Sequence, residues 1–172
     1  MKIRITLKGI GILLLLALLG AGLWYYYFIR TPEYLIKKQI QAIAEDINKN
    51  PQETNSIMTF KMISLANRLS QHVEVSVHGI PIGGGLSGGE LASQVSRARM
   101  AMGVIDLKPV EIYVTLLDDT HARAECELIV KAHGKEIEYR IDEVYHLRLM
   151  LERNSAKKWV FTGFHESQYM EK

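Results

Sequence analysis

Hydrophobic positions divide the chain into three regimes. Residues Gly9 to Ile29 carry no charge, residues from Glu33 to Met102 place apolar side chains mostly at helical spacing, and beyond Gly103 they alternate. The uncharged run predicts a transmembrane helix over 9–29. At ~1.5 Å per residue it would reach about 31 Å, matching a ~30 Å hydrocarbon core. Trp24, Tyr25, Tyr26 and Tyr27 follow its leucines as an aromatic belt for the membrane interface. Lys2, Arg4 and Lys8 precede the run, so the positive-inside rule makes 1–8 a short cytoplasmic tail. The expected location is a bacterial inner membrane, crossed once, with 30–172 as one periplasmic or extracellular domain. The lipid bilayer is then a partner through 9–29. A cleaved signal peptide is the competing reading, with Gly20-Ala21-Gly22 as its small-residue site. The apolar and aromatic run continues well past Gly22, which favours an uncleaved signal anchor.

The domain after the anchor reads helix, helix, strand, helix, then strands. Thr31-Pro32 caps a helix over Glu33–Asn48 with Leu35, Ile36, Ile40, Ile43 and Ile47 on one side. Asn50-Pro51 ends it and restarts a second helix, whose apolar positions include Ile57, Met58, Met62, Ile63, Leu65, Ala66 and Leu69. His72 to His78 alternates with Val73, Val75 and Val77 inward, as a half-buried strand does. A glycine-rich connection spans Gly79 to Gly89, and helical spacing returns over Glu90–Met102. Four strands follow: Ile112 to Leu116, Ala122 to Val130, Ile137 to Leu151 and Trp159 to Phe164. Their connections are short, so they are antiparallel neighbours.

Composition narrows the function classes. The chain has 172 residues, 48% hydrophobic and 23% charged, as an ordinary folded protein does. Removing Lys2, Arg4 and Lys8 from the 21 basic residues leaves 18 against 19 acidic, a net charge of −1. No nucleic-acid partner is expected, because phosphate neutralisation needs a basic surplus. The single cysteine, Cys126, precludes an internal disulfide and a cysteine-based zinc site, and its place beside Ala124 and Leu128 predicts a buried small hydrophobe.

Two glycine motifs overlap. Gly83 to Gly88 satisfies G-x-G-x-x-G, but Ile80-Pro81-Ile82 separates it from the strand and no parallel crossovers follow, so no dinucleotide cofactor is expected. Gly85-Leu86-Ser87-Gly88-Gly89 satisfies G-x-S-x-G, yet the chain is too short for a hydrolase sheet. Ser87 with Glu90 three residues on predicts a helix capping box instead. His72, Glu74 and His78 share a strand face. Alternate residues are about 7 Å apart at ~3.3 Å per residue, so the two histidines span about 20 Å and no metal site is expected. The opposite face of the sheet pairs Arg123, Glu125, Glu127 and Lys131 with Glu138, Arg140, Asp142, His146 and Arg148, which predicts ion-pair ladders on a solvated or docking surface. Arg68, Arg97 and Arg99 read as solvated helix charges.

The order of elements resembles the nuclear transport factor two-like superfamily, which includes SnoaL-like polyketide cyclases and ketosteroid isomerases. The resemblance covers roughly 33–169. It is carried by Gly88-Gly89-Glu90-Leu91 opening a helix after a glycine-rich loop, by Val110-Glu-Ile-Tyr-Val and Asp118-Asp-Thr-His-Ala-Arg-Ala, and by the closing strand Lys157-Lys158-Trp159-Val160-Phe161. It implies an α+β, cystatin-like fold: a cone-shaped curved antiparallel sheet packed on three helices around a pocket, often dimeric. With its single membrane helix, the chain also resembles the periplasmic bitopic subunits of type IV secretion channels.

Glu143 is the informative position within that frame. It falls in register with Ile137, Tyr139, Ile141, Tyr145, Leu147 and Leu149 on the apolar stripe of the longest strand. A carboxylate there must pair, hydrogen-bond or protonate. Tyr139, Glu143 and Tyr145 are therefore the candidate pocket residues, with Glu143 the candidate general base. The family's enzymatic pairs do not transfer to this sequence residue by residue. The expectation is a membrane-anchored, non-catalytic binding or scaffold module, engaging a protein partner, a second copy or an apolar small molecule. The alternatives are an isomerase, dehydratase or cyclase using Glu143, and a subunit of a secretion channel.

Overall fold

A computed structural model describes residues 7–26, 31–77, 84–134 and 140–167. The chain divides into two compact units, Met1–Leu35 and Ile36–Lys172. In the first, α1 (Leu7–Trp24) is an 18-residue helix, about 27 Å at ~1.5 Å per residue. Leu14, Leu18, Leu19, Leu23, Trp24, Tyr25 and Tyr26 are all exposed, and Tyr27 lies outside the described residues. Among the described residues, no helix is long and apolar enough to cross a membrane.

The larger unit is a sheet covered on one face by helices. Helix α2 (Pro32–Ile47) buries Ile36, Ile40, Ile43 and Ala44, a stripe at the spacing that one helical face requires. Helix α3 (Asn55–Arg68) starts later than Asn50-Pro51 predicts. Residues 51 and 52 form a turn, and the Thr54 hydroxyl caps the helix by accepting from the Ile57 amide at 3.4 Å. Leu65 is buried on α3, whereas Ile57 and Ile63, expected on its apolar side, are exposed. Strand β1 (Leu69–Ser76) buries Val73 and Val75 as predicted; His72 and Glu74 are exposed, and His78 lies outside the described residues.

The glycine-rich connection contains a short strand that the pattern does not announce, β2 (Gly84–Leu86), paired antiparallel with β1. The glycine serves close approach: the His72 ring occupies the space that a Cβ on Gly85 would need. Helix α4 (Gly88–Ala101) follows through the expected capping box, in which the Ser87 hydroxyl accepts from the Glu90 amide and the Glu90 carboxylate accepts from the Ser87 amide at 2.8 Å. These bonds hold the Glu90 carboxyl below its usual range.

Four long strands complete the sheet: β3 (Met102–Leu116), β4 (His121–Gly134), β5 (Arg140–Arg153) and β6 (Trp159–Glu166). The order is β2-β1-β6-β5-β4-β3. All neighbours are antiparallel except β1 and β6, which run parallel. The α4 to β5 stretch separates these two strands in sequence, so no short turn dictates their direction. The register of β3 shifts between Val110 and Tyr113, with Glu111 at φ 48°. This bulge exchanges the faces of β3. Leu107 and Pro109 face the interior before it, and Ile112 and Val114 pack on the core after it. Alternation beginning at Ile112 captures only the second half of the strand. Bulges here and between Met150 and Leu151 curve the sheet.

One residue overturns its sequence reading. Arg99 is wholly buried rather than solvated. Its guanidinium donates to the carbonyls of Asp46, Ile47 and Asn48 at 2.6, 2.6 and 2.9 Å, and pairs with Glu53. Those carbonyls end α2, where unsatisfied acceptors and the helix dipole attract a cation. Lys61 donates to the other Glu53 oxygen at 2.8 Å. Lys49 bridges back, donating to the carbonyls of Arg99 and Met102 at 2.6 Å. Helical spacing cannot separate a buried from an exposed arginine when its acceptors come from another helix.

Arg99→Met should destabilise the domain by about 3–5 kcal/mol, because Glu53 is left without its buried partner. The neighbouring Arg97→Ala should change stability by less than ~0.5 kcal/mol; urea unfolding of the two variants checks the contrast. Burial raises the Glu53 pKa, but hydrogen bonds and charges from Lys61 and Arg99 outweigh it, so the net shift is downward from 4.5. A folded-state pKa below the unfolded one stabilises the protein above pH 4.5, and this contribution disappears as pH falls through the folded value. Stability measured between pH 5 and pH 2 should therefore fall more shallowly in Glu53→Gln, from a lower starting point.

Candidate functional site

The sheet and the helices enclose a cavity of about 550 Å³. On β4 the sheet wall is made by Cys126, Leu128 and Val130, beyond the fully packed Ala122 and Ala124. Ile40 and Ile43 of α2 and Leu91 and Val95 of α4 form the opposite wall. Cys126 lines the cavity from a buried position, and desolvation pushes its thiol up to about 11. It is the small hydrophobe that its sequence neighbours predict.

Two polar side chains reach this space. Glu143 and Tyr145 lie two residues apart on β5, facing the same side, and the Tyr145 hydroxyl donates to Glu143 Oε2. Every other lining residue is apolar, apart from the Cys126 thiol. Glu143 is exposed, so it stands where the cavity meets solvent rather than at its base. Val130 is its register partner on β4, and Leu128 is that of Tyr145. The structure thus brings together Glu143 and Tyr145 as the stripe predicts; Tyr139 lies outside the described residues. Alternation over Ala122 to Val130 puts Leu128 and Val130 on the face of Cys126, but sequence reasoning did not anticipate Leu107 and Pro109, their register partners on β3. Only the strand register reveals that these share one wall.

The arrangement can hold an apolar body and accept one hydrogen bond at its rim. Glu143 Oε1 has no hydrogen-bond partner among the described residues. A proton-transfer site also needs donors where charge develops on the substrate. Among the described lining residues Tyr145 is the sole such group, and its proton is directed at Glu143.

The opposite face of the sheet carries the predicted ladder as far as it is described, Glu138 lying outside the described residues. Arg148 Nε lies 3.0 Å from Glu125, and His146 Nδ1 lies 3.7 Å from Glu127. Arg140 pairs with Asp142 at 3.3 Å, and Lys131 is the register partner of Asp142. Glu125 is buried beneath the ladder, with Arg123 also within 4.0 Å. No group of three metal-ligating side chains occurs among the described residues.

No family model and no curated protein matches the chain. Solved structures do. An NTF2-like protein with a cystatin-like fold from Novosphingobium aromaticivorans is 15% identical, with a TM-score of 0.58 over 96% of this chain and 90% of that one. A protein provisionally named an aromatic ring hydroxylase, from the same organism, is 12% identical, with a TM-score of 0.65 over 81% of this chain and 90% of its own. A provisionally named dehydratase of the NTF2-like family from Streptomyces avermitilis is 12% identical, with a TM-score of 0.58 over 80% and 95%. At these identities the likeness is one of fold. Beyond α1, this chain has the α+β, cystatin-like architecture of the nuclear transport factor two-like proteins.

Proposed function

We propose that the domain is a receptor for a small apolar molecule, tethered to a membrane through 9–29 and facing away from the cytoplasm. The cavity carries this reading. Its volume of about 550 Å³ lies within the ~300–1,000 Å³ of small-molecule sites, and its lining is apolar with few convergent polar groups. The tether is supported by the uncharged run, its basic flank and the exposed Trp24, Tyr25 and Tyr26. Against turnover stands the missing second hydrogen-bond donor among the described lining residues.

One observation favours a second reading, a proton-transfer isomerase, dehydratase or cyclase with Glu143 as base. Glu143 and Tyr145 share the cavity, and a provisionally named dehydratase shares the fold.

Native mass spectrometry of the full chain, gently extracted from its own membrane, tests the receptor. The expected result is a chain retaining 1–29 and carrying one small organic molecule. Val130→Trp, which projects bulk into the cavity beside Glu143, should lose that molecule while keeping its unfolding temperature. Identical masses bound to both proteins, or none to either, would overturn the receptor reading. Incubating the released molecule with fresh protein separates the two functions. A receptor returns it unchanged; conversion by the wild type that Glu143→Gln abolishes establishes the enzyme.

A further inference from the structure

We propose that the cavity's ligand is an amphiphile with an apolar body and a protonated amine head, the head seated against Glu143. This deepens the receptor reading and rests on it. A cavity of hydrocarbon walls recognises an apolar body by area alone and discriminates poorly between bodies. Selectivity must come from the polar rim, and its character is one-sided. Glu143 supplies a carboxylate, and the Tyr145 hydroxyl, which shares the cavity, donates to that carboxylate. Phenol donation to Oε2 leaves Glu143 Oε1, at the solvent-exposed rim, able to accept from a ligand in place of water.

The charge balance points the same way. No described basic side chain pairs with Glu143. Arg140 and Asp142, on the same strand, satisfy each other at 3.3 Å, and Asp142 and Lys131 are register partners across β4 and β5. Arg148 is bonded to Glu125 at 3.0 Å, and His146 faces Glu127 at 3.7 Å, both on the far face. The negative charge at the rim is therefore left for the ligand to match. An amine offers both a hydrogen-bond donor and a compensating charge. A neutral alcohol offers only the donor. A fatty-acid-like carboxylate meets like charge at the only polar rim that the described cavity presents.

The test keeps the body constant and varies the head. The full chain in lipid nanodiscs, with empty discs as blank, is titrated calorimetrically at pH 7 with 2-naphthylmethylamine, 2-naphthalenemethanol and 2-naphthoate. The amine should bind about tenfold tighter than the carboxylate, the scale of a charge-assisted hydrogen bond at a partly solvated site, with the alcohol between. Glu143→Gln, which keeps the size of the side chain, should bring the three within about twofold of one another. Equal binding of all three to the wild type, or preference for the carboxylate, overturns the amine head and leaves the apolar receptor standing. Binding of none overturns both. If Glu143→Gln does not fold, the order of the three ligands on the wild type still decides.

Discussion

The buried guanidinium of Arg99 is the constraint around which the helical layer is organised. A charge at full burial is expensive unless its partners are many and well placed. Here they are drawn from two segments, the carbonyls ending α2 and the Glu53 carboxylate before α3, so that the arginine ties its own helix, α4, to both. Lys49 extends the knot to the start of β3, where its backbone also pairs with Ile105 at 2.8 and 3.1 Å. The Asn48 side chain bonds to both backbone groups of Leu107. One polar cluster thus fixes the end of α2 against the edge of the sheet.

That cluster holds the end of one cavity wall. Ile43, Ala44 and Ile47 of α2 line the cavity, and the carbonyls of Asp46, Ile47 and Asn48 bond to Arg99. Polar bonds of strict geometry therefore fix where this wall stops, while the apolar side chains along it give the cavity its shape. The facing sheet is bent by the bulges in β3 and between Met150 and Leu151.

The sequence made the element order apart from β2, the Ser87–Glu90 capping box, the burial of Cys126 and the charge ladder legible. Each depends on residues near one another in the chain or on simple alternation. What escaped depends on encounters between distant segments. Arg99 looks like any surface arginine until the end of α2 meets it. The inward face of β3 before Ile112 is hidden by a bulge at Glu111, a glutamate at positive φ that no composition rule marks. The parallel pairing of β1 with β6 closes over most of the domain's length. At the candidate site, the β5 stripe put Glu143 and Tyr145 on the cavity face, but alternation alone does not tell that Glu143 is exposed there.

The two margins of the sheet bear on how densely such a protein can be packed. An unpaired strand edge is a template for another chain, and the hazard grows with concentration. One margin, β2, offers only three residues. The other, β3, is long, but Pro109 removes a donor, the bulge at Glu111 twists the ladder, Asp106 and Lys108 flank it with charge, and the Lys49 backbone occupies Ile105. The same irregularities that bend the sheet therefore also make its long margin a poor template for edge-to-edge joining.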